Sequence, residues 1–274
     1  MSIIFAAAVS HAPGWVAWRE RAPEEQRDAL GAAAAKLKAE LETLRPDTII
    51  CLTSEHWTNF FLDHVSAFCV GLGESAVGPV EPWMKMDKTP VPGDPELAKN
   101  ILTATYASGF EPSFSHELIL DHGTIVPLSF LTPKFQTPVA PVFFNTLAPP
   151  LPSPARCYAL GQAIGDVARK SPKRLAIIAT GGMSHDPGER GHGLIDTDFD
   201  QRFLDEMARG DGERLRSYSA DDLSAKGAGT PELLAWIALA GALGSFRGEV
   251  LAYEAVRGWA TGMGIMRLAP SEEQ

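Results

Sequence analysis

Three histidines sit at comparable places along the chain, each just past an apolar run. Ser10-His11-Ala12-Pro13 follows Ile3–Val9, Ser54-Glu55-His56-Trp57 follows Thr48–Leu52, and Gly181-Gly182-Met183-Ser184-His185 follows Leu175–Thr180. Short bounded apolar runs read as buried strands, so each imidazole stands beyond a strand's carboxyl end. In open α/β sheets that edge is where ligands and chemistry collect. A neutral imidazole ligates iron or zinc and exchanges protons near neutral pH. His11, His56 and one downstream carboxylate could form a facial triad on Fe(II), leaving positions for substrate and dioxygen. Zinc takes three histidines, or two and a glutamate, with one water. Residue types therefore leave iron and zinc both open, while magnesium and calcium prefer all-oxygen shells.

The elements that must position these groups alternate between strand and helix. After the strand Ile3–Val9 comes a long helix over Glu24–Thr43, rich in Ala, Leu, Glu and Lys. Pro46 and Asp47 punctuate the approach to the second strand. Ala67–Val70 reads as a further strand and Trp83–Gly93, with two prolines and no period, as loop. Asp94 and Pro95 form an N-cap and first-turn proline for a helix to about Tyr106. A short helix over Gly123–Leu131 follows Asp121-His122, then a strand Val139–Phe144 and a helix Pro154–Lys170. Asp196–Arg209 reads as a helix with Asp200 and Asp205 outward, and Thr230-Pro231 as the start of the apolar helix Leu233–Leu243. Glu249–Tyr253 and Gly262–Leu268 read as two further strands, placed to pair with each other. The expected architecture is α/β: a single three-layer α/β/α domain over residues 1–274 with a central, mostly parallel (mixed) sheet. Pro149–Pro154, with four prolines, reads as a rigid surface turn or a short linker.

Composition narrows the function classes. With 274 residues, 45% of them hydrophobic and 21% charged, the chain can build a substantial core. A formal charge of −10 and the lack of any basic run argue against nucleic acid, whose phosphates require clustered Lys and Arg. No apolar stretch approaches the ~20 residues that cross a bilayer, and the N-terminus lacks a basic signal-like start. The expectation is a cytoplasmic protein with no membrane partner. Cys51, Cys69 and Cys157 are too few and scattered for a disulfide framework, and Cys51 and Cys69 read as small core residues. Gly71-x-Gly73 and Gly227-x-Gly229 lack the strand–turn–helix context of nucleotide loops, so no organic cofactor is assigned.

Four segments then carry a family resemblance in order: Ser10-His11-Ala12-Pro13-Gly14, Glu55-His56-Trp57-x-Asn59-Phe60-Phe61, Asp121-His122-Gly123 and Gly181-Gly182-Met183-Ser184-His185. Pro141-Val142-Phe143-Phe144-Asn145 and Gly258-Trp259-Ala260-Thr261-Gly262 add weaker echoes. The set resembles the class III extradiol ring-cleaving dioxygenases, the superfamily of the protocatechuate 4,5-dioxygenase β-subunit, over nearly the whole chain. It is also similar to the 2,3-dihydroxyphenylpropionate and aminobiphenyldiol dioxygenases. The resemblance implies Fe(II) held by His11, His56 and a glutamate near the C-terminus, for which Glu249 is the choice over Glu254. Because those two lie five residues apart, a regular strand would point them to opposite faces. The resemblance further implies His185 as the acid–base group and His122 as an orienting or proton-handling group. The substrate would be a small aromatic diol or aminophenol cleaved with O2 beside its hydroxyls.

Plainer readings stand beside these. A strand-end histidine can be structural, Glu55 can be a rim partner of His56, and Trp57, Phe60 and Phe61 can be core instead of pocket wall. His64 and His116 lack comparable context, and His192 sits in the Gly-rich loop Asp186–Gly193, a candidate cover for the site. A carboxylated substrate would require a cationic partner, for which Arg190 and Lys85 are conceivable. A zinc-bound hydrolase-like relative and a non-catalytic binding scaffold are the alternatives. A homo-oligomer, with or without a small accessory subunit closing the pocket, completes the expectation.

Overall fold

The computed structural model describes residues 2–188 and 191–271. Its strands are β1 (Ile3–Val9), β2 (Thr48–Ser54), β3 (Phe68–Gly71), β4 (Ser75–Gly78), β5 (Thr89–Pro92), β6 (Ser113–Ser115), β7 (Val139–Phe144), β8 (Leu175–Thr180), β9 (Phe246–Val256) and β10 (Thr261–Pro270). The helices are α1 (Gly14–Ala17), α2 (Glu24–Leu44), α3 (Pro95–Ala107), α4 (His122–Leu131), α5 (Pro154–Lys170), α6 (Thr197–Arg209), α7 (Gly212–Ser217), α8 (Ala220–Ser224) and α9 (Leu233–Leu243). An eight-stranded sheet runs in the order β6-β3-β7-β2-β8-β1-β10-β9. Its centre, β7-β2-β8-β1, is parallel throughout, while β3, β10 and β9 join through antiparallel pairs. The expected mixed α/β/α arrangement is therefore present. No described helix is long and apolar enough to cross a membrane.

The central strands are buried on both faces, which explains their unbroken apolar sequences. Successive residues serve opposite layers. Ile50 and Leu52 join the core built with α3, α5, α6 and α9, whereas Ile49 and Cys51 join the one built with α2 and α4. Helix α9 is apolar all round and buried at every residue, as expected for a helix sandwiched between sheet and helix. Its close seat on α5 depends on glycine: a Cβ at Gly161 would lie 1.9 Å from the Ala238 carbonyl oxygen, and one at Gly165 2.1 Å from that of Ala242. This contact fixes the height of α9, and so the place of Glu232 just before it.

Three local expectations give way to tertiary context. The loop expected over Trp83–Gly93 contains β5, which pairs antiparallel with β4. Pro90 and Pro92 are tolerated because this is a two-stranded ribbon, where one side of each strand needs no donors. Asp200 is fully buried, not outward, and accepts hydrogen bonds from the Ser184 amide, the Ser184 hydroxyl and Tyr253. Glu249 and Glu254 lie on one face of β9, both reaching helix α2. Lys36 bonds Glu249 at 2.8 Å and Gln26 donates to Glu254 at 3.1 Å. The register slips at Leu251, where Ile265 faces Ala252 but Met266 faces Val250. That bulge resets the alternation, so residues five apart share a side.

Asp94 ties α3 to the edge of the sheet. Its carboxylate caps Leu97 and accepts from Thr48 and Lys173. Burial alone would raise this carboxyl, but Lys173 and Thr48 hold it below the usual range. Asp94→Ala should cost about 1–3 kcal/mol near neutral pH. Because the folded-state value is depressed, that contribution exists above the unfolded value of ~3.9 and disappears as pH falls through the folded one. Urea melts at pH 7 and pH 3 should show the gap between wild type and variant closing at acid pH.

Candidate active site

Adjacent parallel strands deliver their ends to one side of the sheet, and β2, β8 and β1 are neighbours. His56 follows β2, His185 follows β8 and His11 follows β1, so the three imidazoles meet although distant in sequence. His122 joins them as the first residue of α4. Ring centroids of His11 and His56 are 5.1 Å apart, those of His11 and His122 5.6 Å, and those of His56 and His122 4.1 Å. One ring nitrogen from each of these three lies within 4.8 Å of the others.

The carboxylate that completes the group is Glu232, not Glu249. Glu232 ends a short 3₁₀ turn leading into α9 and is 2% exposed. Its Oε2 is 2.9 Å from His11 Nε2, and its Oε1 is 3.0 Å from His56 Nε2 and 3.6 Å from His185 Nε2. The Gly182 amide donates to Oε2. Glu249 stands on the edge strand β9, two strands beyond β1, exposed and paired with Lys36. Both glutamates near the C-terminus, Glu249 and Glu254, lie on a strand face turned to helix α2 and so away from the histidines. The sequence did hold a signal for Glu232: a lone acid opening an otherwise wholly apolar helix, directly behind Gly227-x-Gly229.

Each histidine has its Nδ1 engaged on the outside. His56 Nδ1 meets Asp121 Oδ2 at 3.0 Å, and the His56 amide donates to the same oxygen at 2.9 Å. His122 does the same with Glu81 Oε1, at 2.6 Å from Nδ1 and 3.0 Å from its amide. His185 Nδ1 lies 2.8 Å from the Met183 carbonyl, and His11 Nδ1 3.1 Å from the Thr180 hydroxyl. Carboxylates and carbonyls only accept, so His56, His122 and His185 must each carry a proton on Nδ1. A neutral ring then has its lone pair on Nε2, the nitrogen that faces Glu232 in His11, His56 and His185.

Such an arrangement is unstable without a cation. Two lone pairs and a carboxylate oxygen at 3 Å repel unless a proton or a metal lies between them. His11 Nε2 lacks hydrogen-bond geometry toward Glu232 despite its 2.9 Å approach and has no hydrogen-bond partner among the described residues. Without metal, protons must compensate. Burial opposes charge on His56, yet Asp121 and Glu232 push it well above its ordinary value. Burial likewise opposes ionisation of Glu232, but His11 and His185 hold it well below the carboxylate range. His185 is raised, Glu232 outweighing its burial, whereas burial and the neighbouring His56 lower His122. Outer anions with inner lone pairs form the setting in which histidine ligands hold transition metals. The residues fit such an ion.

These groups line a cavity of about 350 Å³ whose other walls include Trp18, Trp83, Trp259, Leu147 and Pro187. Trp83 stacks on Trp18 at 5.4 Å and leans on His122 at 5.6 Å. His192 also faces the cavity from its exposed loop. Trp57 and Phe61 do neither of the expected jobs: both are exposed and away from this cavity. Glu55 accepts from the Trp57, Thr58 and Asn59 amides and so caps the turn after β2 instead of joining His56. Lys85 is exposed outside the cavity wall, and Arg190 lies outside the described residues. His64 and His116 are exposed.

Residues 5–264 match the family described as the catalytic LigB subunit of aromatic ring-opening dioxygenase. The chain belongs to that family. Among its relatives, a 2,3-dihydroxyphenylpropionate/2,3-dihydroxicinnamic acid 1,2-dioxygenase of Photorhabdus laumondii is 26% identical, covering 86% of this chain and 88% of the relative. An enzyme of the same name from Klebsiella pneumoniae is 28% identical over 87% of this chain and 90% of its own length. The solved structure of an uncharacterized protein from Escherichia coli shares the fold, with a TM-score of 0.60 at 14% identity over 95% of this chain and 98% of that one. As a member of the ring-opening dioxygenases, the chain is an enzyme, and the scaffold alternative falls away.

Gly229 is the backbone feature on which His185 depends. A Cβ there would sit 2.0 Å from His185 Nε2, and one at Gly227 2.1 Å from the His185 carbonyl oxygen. Gly229→Ala should therefore push the imidazole aside and lower ring-opening turnover by about 10²-fold, the scale of a 1 Å misplacement. Metal content measured by elemental analysis should stay at the wild-type level.

Proposed function

We propose that the chain is a non-haem Fe(II)-dependent extradiol dioxygenase that cleaves the ring of a catechol-type diol or aminophenol with O2. The observation that carries this reading is the convergence of two imidazoles and one buried carboxylate, His11, His56 and Glu232, on one point. Two histidines and one carboxylate on one face leave open positions for further ligands. Bound Fe(II) would supply adjacent binding places for the diol and for dioxygen.

The chain's own residues supply the rest. His185 takes a proton from a substrate hydroxyl at Nε2, because its Nδ1 is committed to the Met183 carbonyl, and it returns that proton later in the cycle. His122, kept neutral by burial and by His56, accepts a hydrogen bond from substrate at Nε2 and orients the ring. Trp18, Trp83 and Trp259 offer flat apolar walls to an aromatic substrate and exclude water from the proton transfer. Exposed Phe61, Leu62 and Phe114 are among the apolar side chains that association into a homo-oligomer would remove from water.

One observation favours a second reading. The mutual approach of His11, His56 and His122 could hold zinc with three imidazoles. Anaerobic metal analysis followed by oxygen uptake on a panel of catechols separates the two. A coloured ring-fission product formed only with Fe(II) supports the proposal, and tight zinc without oxygen uptake rejects it.

Two further outcomes are expected. His185→Phe should keep iron but slow turnover ~10²- to 10⁴-fold, the usual worth of a positioned proton-transfer group, whereas His56→Ala should empty the site. Glu232→Gln should lose metal on gel filtration while Glu249→Gln, at a carboxylate that bonds Lys36 on the exposed edge strand, should retain it. Equal metal loss in both glutamate variants would reject Glu232 as the ligand.

A further inference from the structure

His11 differs from the other three histidines in what stands behind it. Glu81 and Asp121 are carboxylates and the Met183 oxygen is a carbonyl, but among the described residues His11 Nδ1 meets the Thr180 hydroxyl alone. A hydroxyl can donate or accept, so by itself it does not decide which nitrogen of His11 carries the proton. The decision is made two residues further on. Thr180 Oγ1 lies 2.7 Å from Thr53 Oγ1, and Thr53 Oγ1 lies 3.3 Å from the Ser54 carbonyl oxygen. That carbonyl only accepts, so Thr53 donates to it, Thr180 donates to Thr53, and His11 Nδ1–H donates to Thr180. His11, Thr53, Ser54 and Thr180 are all buried, with no more than 2% exposure, so water does not offer another direction.

We propose that Thr180 and Thr53 are positioning residues whose hydroxyl relay locks His11 into the Nδ1–H form and presents its Nε2 lone pair to the metal. The relay follows from the topology: β8 lies between β1 and β2, so the last residue of β8 can touch both the histidine after β1 and the penultimate residue of β2. Its use of neutral groups is also reasoned. Glu232, Asp121 and Glu81 already bring three carboxylates to the site, and a fourth behind His11 would add repulsion that burial magnifies. The relay sets the tautomer without adding charge. This inference rests on the reading of His11 as a metal ligand.

The test is metal affinity of the purified apoprotein, measured anaerobically by Fe(II) titration against a competing chelator. Thr180→Val keeps the shape but removes the acceptor, and affinity should fall 10- to 100-fold, the range for loss of an outer partner of a metal-bound histidine. Thr180→Ser restores the hydroxyl and should bind within roughly threefold of wild type. Thr53→Val leaves Thr180 free to turn its proton toward His11 and should show a smaller loss of the same sign, which also decides the matter if Thr180→Val fails to fold. Wild-type affinity in Thr180→Val, or equal losses in Thr180→Val and Thr180→Ser, would overturn the relay. His11→Ala is the separate control: if it too bound iron as wild type, the ligand reading itself would fall.

Discussion

A carboxylate with 2% exposure and imidazole nitrogens at 2.9 and 3.0 Å cannot rely on water for its solvation. Ionised groups in such a place are costly unless something of opposite charge joins them. Much of the surrounding structure can be understood as meeting that constraint. Asp121 holds His56 by both amide and ring and caps helix α4 with its other oxygen. Glu81 repeats the double grip on His122. The Gly182 amide donates to Glu232 Oε2, the oxygen that also approaches His11. These outer contacts direct lone pairs inward and leave one kind of occupant that satisfies them all, a cation.

The scaffold serves this by keeping the donors on separate rigid elements. Three come from the ends of adjacent parallel strands, one from a helix start, and the acid from the turn before a fully buried helix. Removing the glycines that let α9 sit against α5 would move Glu232 as surely as replacing it. The turn carrying His185 is anchored below by Asp200, which binds Ser184 through two hydrogen bonds and is itself held by Tyr253 of β9. A buried acid on an amphipathic helix therefore belongs to the site's support, although its charge suggests solvent.

The apolar runs, their caps and the histidines behind them were legible in the chain because they depend on local physics. Seven residues of buried strand followed by Ser-His read the same way in sequence and in space, and so did the Asp94-Pro95 start of α3. The misreadings share a cause. The face of Glu249 depends on a bulge at Leu251, the burial of Asp200 on Ser184 and Tyr253, and the strand character of Thr89–Pro92 on a partner ribbon. Each is decided by a neighbour remote in sequence, which no local period records.

By itself, the sequence determined which chemistry is available: neutral imidazoles at strand ends, a core large enough to exclude water around them, and no basic surface for nucleic acid. It also pointed to His11, His56 and His185 as neighbours, since each follows a strand expected in a parallel sheet, while His122 came only from the family resemblance. Tertiary structure alone decided which acid joins them and which nitrogen of each ring faces inward. Those choices rest on contacts between residues as far apart as His56 and Glu232 or His11 and Thr180. Hydrogen-bond direction and carboxylate placement are properties of three-dimensional neighbours, and spacing along the chain does not encode them.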